Sequence, residues 1–106
     1  MPKYLAPASY TAEGLRGLRK EGAEGRVEQA HKLAEALGGK CDGFYWALGA
    51  DDVIAIFDLQ STIDAAALGL AVSASGVVHA KAMQLLTATE TDAASKKSTN
   101  FRLPGR

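Results

Sequence analysis

Lys40-Cys-Asp-Gly-Phe-Tyr-Trp-Ala-Leu-Gly-Ala-Asp-Asp-Val-Ile-Ala-Ile-Phe-Asp-Leu59 is the stretch that decides the fold. Cys41–Leu48 and Val53–Leu59 are runs of strand-forming residues, and Gly49-Ala50-Asp51-Asp52 between them has turn chemistry, so the segment reads as a β-hairpin. A helical pattern flanks the hairpin on each side, and one more strand-like run lies beyond each helix. The chain order is therefore strand, helix, strand, strand, helix, strand.

Working outward, the first strand runs from about Lys3 to Tyr10. Pro7 lacks a ladder donor, which predicts a bulge or an end of pairing there. Thr11 is placed to cap the first helix, with Glu13 in the first turn where the helix dipole favours a carboxylate. Leu15 and Leu18 mark one apolar stripe; Val27, Ala30, Leu33, Ala34 and Leu37 mark a longer one. The glycines between them make one straight helix improbable, so a kink or short break is expected near Gly22, and Gly38-Gly39 ends the helix. Ser61 caps the second helix, with Asp64 completing a variant capping box. The stripe Ile63, Ala66, Ala67, Leu70 and Ala74 is mostly small. It predicts close packing on the sheet with little room for a pocket beneath. Gly76 ends this helix, and the last strand runs from Val77 to about Ala88, with Val78, Ala80 and Ala82 on one face and His79, Lys81, Met83 and Leu85 on the other. Residues 1–88 thus form one domain, and 89–106 a short helix and a tail.

Twelve Lys plus Arg balance twelve Asp plus Glu in 106 residues. No net field attracts nucleic acid or a membrane surface, so neither is expected as a partner. At 47% apolar and 23% charged residues, the composition is that of an ordinary globular domain. No apolar run is long enough to span a bilayer, and Met1-Pro2-Lys3-Tyr4 leads into a strand rather than a signal peptide. A cytoplasmic location is the expectation. The single Cys41 reads as a small buried hydrophobe.

A βαββαβ order is the ferredoxin-like plan, an antiparallel four-stranded sheet with both helices on one face. Val53, Ala55, Phe57 and Leu59 on one side of the central strand and Ile54 and Ile56 on the other make both sheet faces apolar. Leu5 and Met83 add to the uncovered side. A second copy stacked face to face, giving a dimeric α+β barrel, is the economical solution, so the expected partner is the chain itself.

Tyr10-Thr-Ala-Glu-Gly14, Lys32-Leu-Ala-Glu-Ala-Leu-Gly-Gly-Lys40, Ala71-Val-Ser-Ala-Ser-Gly76 and the hairpin turn resemble the GYD-domain family of small bacterial proteins over nearly the whole chain. The family's turn pattern is Gly, any residue, Tyr, Asp. Here Gly49 and Asp52 match, and Asp51 stands where the tyrosine would be, so no role of that phenol carries over. The resemblance implies the α+β barrel-type fold and brings no particular reaction with it.

Among residues able to carry chemistry, Asp51 and Asp52 are better explained as turn devices, since strand neighbours point to opposite faces. His79 is the candidate acid or base, because it titrates near neutrality and shares a strand face with Lys81. Tyr45 and Trp46, on opposite faces of the second strand, the first run of the hairpin, are candidate ligand walls, and Arg26 and Lys81 candidate anion contacts. His31 lies beside the first helix's apolar stripe and is a weaker candidate. Two separated histidines and one cysteine support no zinc site. Gly22-Ala-Glu-Gly25-Arg26 lacks the Lys-Ser/Thr of a phosphate loop. No cofactor is expected. The leading reading is a homo-oligomeric binding or scaffold-type protein that takes at most a small organic ligand. Its rival is a cofactor-independent enzyme, monooxygenase- or isomerase-like, acting on a small organic molecule.

Overall fold

In the computed structural model, which describes residues 1–106, the hairpin is the outer half of an antiparallel sheet. Strand β2 (Lys40–Trp46) pairs with β3 (Val53–Asp58), whose other side is taken by β1 (Lys3–Tyr10). Beside β1 lie two short pieces, β4 (Val78–Ala80) and β5 (Met83–Leu85). The sheet order is β2-β3-β1-β4, with β5 continuing along β1. Helices α1 (Ala12–Glu21) and α2 (Ala23–Ala36) link β1 to β2, α3 (Thr62–Ser73) links β3 to β4, and α4 (Ala88–Ser95) follows the sheet. This is the α+β, ferredoxin-like plan expected from the chain order, with its first helix and its last strand each divided in two.

Pro7 explains the divided strand. The sequence places an interruption in β1 itself, yet β1 runs unbroken and the gap falls in the strand opposite. Ala8 faces Ala80 and Leu5 faces Met83, so one register continues across the gap and sets Pro7 against Lys81. The Lys81 N–H donates to the Pro7 carbonyl at 3.3 Å. The return bond needs an N–H that proline does not have. One lost donor thus divides a neighbouring strand without shifting its register.

Strand β2 carries an irregularity that alternation does not reveal. Cys41 pairs with Phe57 and Gly43 with Ile56, so Asp42 is an extra residue in a bulge. The bulge lets Cys41 and Phe44, three apart, both face the helices, where Cys41 is buried and Phe44 packs on the core. Beyond it Tyr45 points to the opposite face, 64% exposed. At the same end of the sheet, Lys40 and Lys3 are the cross-strand partners of Asp58. The Lys3 ammonium donates to Asp58 at 2.8 Å and also to Asp42, and Lys40 stands 3.6 Å from Asp58. This cation, anion, cation row spans three strands and favours the observed register.

Local sequence sets the helix ends. The Thr11 hydroxyl accepts from the Gly14 N–H at 3.1 Å, and the Ser61 hydroxyl from the Asp64 N–H at 3.4 Å. The full reciprocal box forms not at Ser61 but at Thr87 and Glu90, which start α4. The expected break between α1 and α2 occurs at Gly22, whose φ of 95° is open to glycine and costly for a residue with a Cβ. Its N–H closes α1 by donating to the Leu18 carbonyl at 2.7 Å.

The core lies between the sheet and α2 and α3. It is built from Tyr4, Ala6, Ala55 and Phe57 of the sheet with Ala30, Ala34, Ala65 and Leu68 of the helices, and Leu59 closes one end. Two expectations about the helices are corrected here. In α1, Leu15 is exposed and Leu18 alone of the pair turns inward. In α3, the buried residues are Ala65 and Leu68, while Ile63 and Leu70 are 75% and 72% exposed. An α3 that is apolar all round offers no periodicity to choose its inner face, so packing chooses it.

The opposite sheet face has no helix on it. Leu5, Pro7, Ile54 and Ile56 lie half-buried at its centre, with Tyr45 and Met83 exposed beside them. Every residue from Leu86 to Arg106 is exposed, including Phe101 and Leu103. The radius of gyration is 16.9 Å. A compact chain of this length has about 13 Å, and the projecting C-terminal segment accounts for the excess. No helix is long and apolar enough to cross a membrane.

Candidate ligand cleft

The start of helix α1 is anchored where the chain enters β4. The Thr11 N–H donates to the Val77 carbonyl at 2.9 Å, and a Cβ on Gly14 would stand 2.3 Å from the same oxygen. Beyond that anchor, the turn at Gly22 carries α2 away to the core, and the helices leave a cleft of about 800 Å³ over the sheet. Its floor is Ala6, Ala8, Val53, Ala55 and Phe57, and its far wall includes Leu68 and Val72 of α3. The sequence expectation that α3 leaves little room beneath it is therefore corrected. Small residues on the floor leave space that the rotated α3 does not fill.

Polar groups gather along one wall, on α1 and the start of α2. Glu13, Arg16, Lys20, Glu21 and Arg26 all reach the cleft. Across the Gly22 junction Arg26 donates to Glu21 at 3.4 Å, whereas Arg16 and Lys20 make no ion pair. Tyr10 stands at this wall from the floor. Its ring stacks on Trp46 with centroids 5.8 Å apart and planes 19° apart, and Trp46 meets Phe44 edge-on at 5.7 Å. Tyr10 and Phe44 themselves line the cleft, so an aromatic patch borders the charged wall.

Burial pushes the Tyr10 phenol above its ordinary value, against the pull of the Arg26 guanidinium beside it. Burial likewise raises the Cys41 thiol, and hydrogen bonds to Asp42 and then Asp58 raise the Lys3 ammonium. A group whose pKa is higher in the folded chain contributes stability that is complete below its unfolded value and lost as pH rises through the folded one. The lowest of the three reference values is 9.0, for the thiol. Thermal unfolding by circular dichroism should therefore be insensitive to these groups up to about pH 8.5 and show a falling Tm from about pH 9 upward. A Tm that holds steady into strong alkali would contradict that sign.

The sequence candidates separate onto the two sheet faces. Arg26 lines the large cleft, and Trp46 backs it through Tyr10. His79 and Lys81 lie on the bare face, where with Pro7, Ser9 and Asp51 they line a small hollow of about 200 Å³. Tyr45 shares that face but sits on β2, while His79 is on β4 at the other edge of the sheet. His79 and Tyr45 are thus not brought together around a cavity. The Asp51 and Asp52 carboxylates do not bond the turn's own backbone as expected but tie the hairpin end to β1: Asp52 accepts from the Tyr10 N–H at 2.8 Å, and Asp51 accepts from the Ser9 hydroxyl at 3.4 Å. His31 is exposed on α2. No three His, Cys, Asp or Glu side chains converge as a metal site would need.

Sequence reasoning does not single out Arg16, Lys20 and Glu21 as site residues. A signal existed for the α1 residues, since Glu13, Arg16 and Lys20 recur at helical spacing on the face that also carries Gly17.

A ferredoxin-like α+β sandwich with one bare sheet face and an open apolar cleft under its helices defines the class of protein. The family model of the GYD domain matches residues 4–94 of the 106, and the chain belongs to the GYD domain family. No curated protein and no solved structure matches the chain significantly.

Proposed function

We propose that this is a small homodimeric binding protein whose cleft holds a small organic molecule. The observation that carries the reading is the 800 Å³ of open space above an apolar floor. Protein interiors close such space, because atoms lining a void lose dispersion contacts that a packed neighbour would supply. A cleft of a few hundred cubic ångströms or more, apolar with a few polar groups on one wall, is the usual form of a small-molecule site. Filling it returns the missing contacts.

N-phenyl-1-naphthylamine, a neutral fluorophore that brightens in apolar surroundings, tests this directly. It should bind saturably, one molecule per chain, and Ala8→Phe with Ala71→Trp, which place bulk on the cleft's floor and rim, should weaken it at least tenfold while circular dichroism stays native. No saturable binding, or equal binding by the filled variant, would sink the reading.

A second copy on the bare face completes the proposal. Its support is an apolar centre of Leu5, Ile54 and Ile56 with a polar rim, the anatomy of an interface. Lys81 and Asp51, outside the paired Lys3, Lys40, Asp42 and Asp58 cluster, are opposite charges on this face that a two-fold related copy can complement. Light scattering at micromolar concentration should give twice the chain mass for the wild type and the single mass for Ile56→Asp, which sets two carboxylates into the centre of the contact. A monomeric wild type would end the dimer proposal and leave the cleft untouched.

A further inference from the structure

We propose that the cleft selects a planar aromatic monocarboxylate, whose ring lies along the Tyr10 and Phe44 side of the floor and whose carboxylate meets Arg26. The inference rests on the reading of the cleft as a ligand site, and it comes from where the charges and rings stand. Every charged residue of the lining belongs to α1 or the first turn of α2, so the charged group of a bound molecule has one place to go. That wall bears Arg16, Lys20 and Arg26 against Glu13 and Glu21, one positive charge in excess. Arg16 and Lys20 have no carboxylate within ion-pair distance, so the excess positive charge of this wall is not neutralised within the chain.

The two glutamates limit the anion's charge. A phosphate or dicarboxylate would bring a second negative charge against Glu13 and Glu21, whereas a single carboxylate matches the excess of one. A guanidinium takes a carboxylate through two parallel N–H bonds, a geometry a lysine cannot reproduce. Arg26 now spends one nitrogen on Glu21 at 3.4 Å, a long contact on a wall open to water. A ligand carboxylate would replace it at little cost. The Tyr10 phenol is a neutral donor beside the same Arg26 guanidinium. The ring preference follows from the Tyr10, Trp46 and Phe44 cluster, which presents flat apolar surface next to that wall.

Titration calorimetry with 2-naphthoate and its neutral isostere 2-naphthamide tests the inference. The wild type should bind naphthoate about tenfold more tightly, the order expected of a charge-assisted hydrogen bond. Arg26→Met should bring the ratio to about one by weakening naphthoate far more than naphthamide, and Glu21→Gln should strengthen naphthoate more than naphthamide. Equal affinities in the wild type, or a preference that survives Arg26→Met, would overturn the assignment. If N-phenyl-1-naphthylamine binds and neither naphthalene compound does, the cleft stands and the ligand class fails. If none of the three binds, the cleft reading itself fails.

Discussion

Gly14→Ala and Gly17→Ala, three residues apart on one helix, are expected to change stability in opposite directions. At Gly14 the new Cβ would stand 2.3 Å from the Val77 carbonyl oxygen and 2.9 Å from the Tyr10 ring. Backbone must move to admit it, and the Thr11 bond to the same carbonyl ties the helix start to that spot. Overpacking of this kind costs about 1–3 kcal/mol and more where backbone is the obstacle, which exceeds the gain of about 1 kcal/mol that alanine brings to a helix. A net loss of about 2 kcal/mol should lower Tm by roughly 8–16 °C in a chain of this size. Gly17 meets nothing within 4 Å. Its replacement should therefore keep the propensity gain and raise Tm by a few degrees. Equal effects at the two sites would mean that α1 does not rest against Val77, and the cleft would lose its defining wall.

Leu59→Ala should be the more damaging core substitution. Leu59 is the one large side chain with no exposure, seated where β3 leaves the sheet and the end of α2 turns back toward β2. A Cβ on Gly39 would come within 3.0 Å of its methyl group, so the leucine fits closely against the helix-ending glycines. Truncation removes its transfer energy and leaves a cavity, together about 2–5 kcal/mol. Urea unfolding should show a lower midpoint with an unchanged slope, since the surface exposed on unfolding stays nearly the same. By contrast Ile63→Ala and Leu70→Ala on α3, exposed in the monomer, should each change the midpoint little. A midpoint shift at Ile63 as large as at Leu59 would show that the outer face of α3 is covered.

Much of this architecture is legible in the sequence because it rests on local chemistry. Thr11 and Ser61 cap where hydroxyls should, Gly22 breaks the first helix, and Val53–Asp58 alternates apolar residues onto both faces. What was not legible depends on distance between elements. Pro7 interrupts a strand it does not belong to, which only the register can reveal. The bulge at Asp42 is invisible to alternation until Cys41 and Phe44 are seen on one side. Helix α3 has apolar residues around its whole circumference, so the stripe read from its sequence, with Ile63 and Leu70, is not the one that packing buries, with Ala65 and Leu68.

The candidate site divides along the same line. Strand alternation set Tyr45 and Trp46 on opposite faces, and the structure has them so. A cleft, however, is space between elements, and no residue announces it. Arg26 was within reach of sequence reasoning, but its meeting with Tyr10 and Glu21 depends on the angle between α1 and α2 at Gly22.

The central claim is that one sheet face holds a small molecule while the other is kept for a second copy. A methyl-resolved NMR titration of the protein with N-phenyl-1-naphthylamine tests it most directly. The account predicts that the methyl signals of Leu18, Leu33, Leu68 and Val72, which line the cleft, shift saturably, while those of Leu5, Ile54 and Ile56 on the bare face stay in place. Shifts concentrated on Leu5, Ile54 and Ile56, with the cleft methyls unmoved, would contradict it.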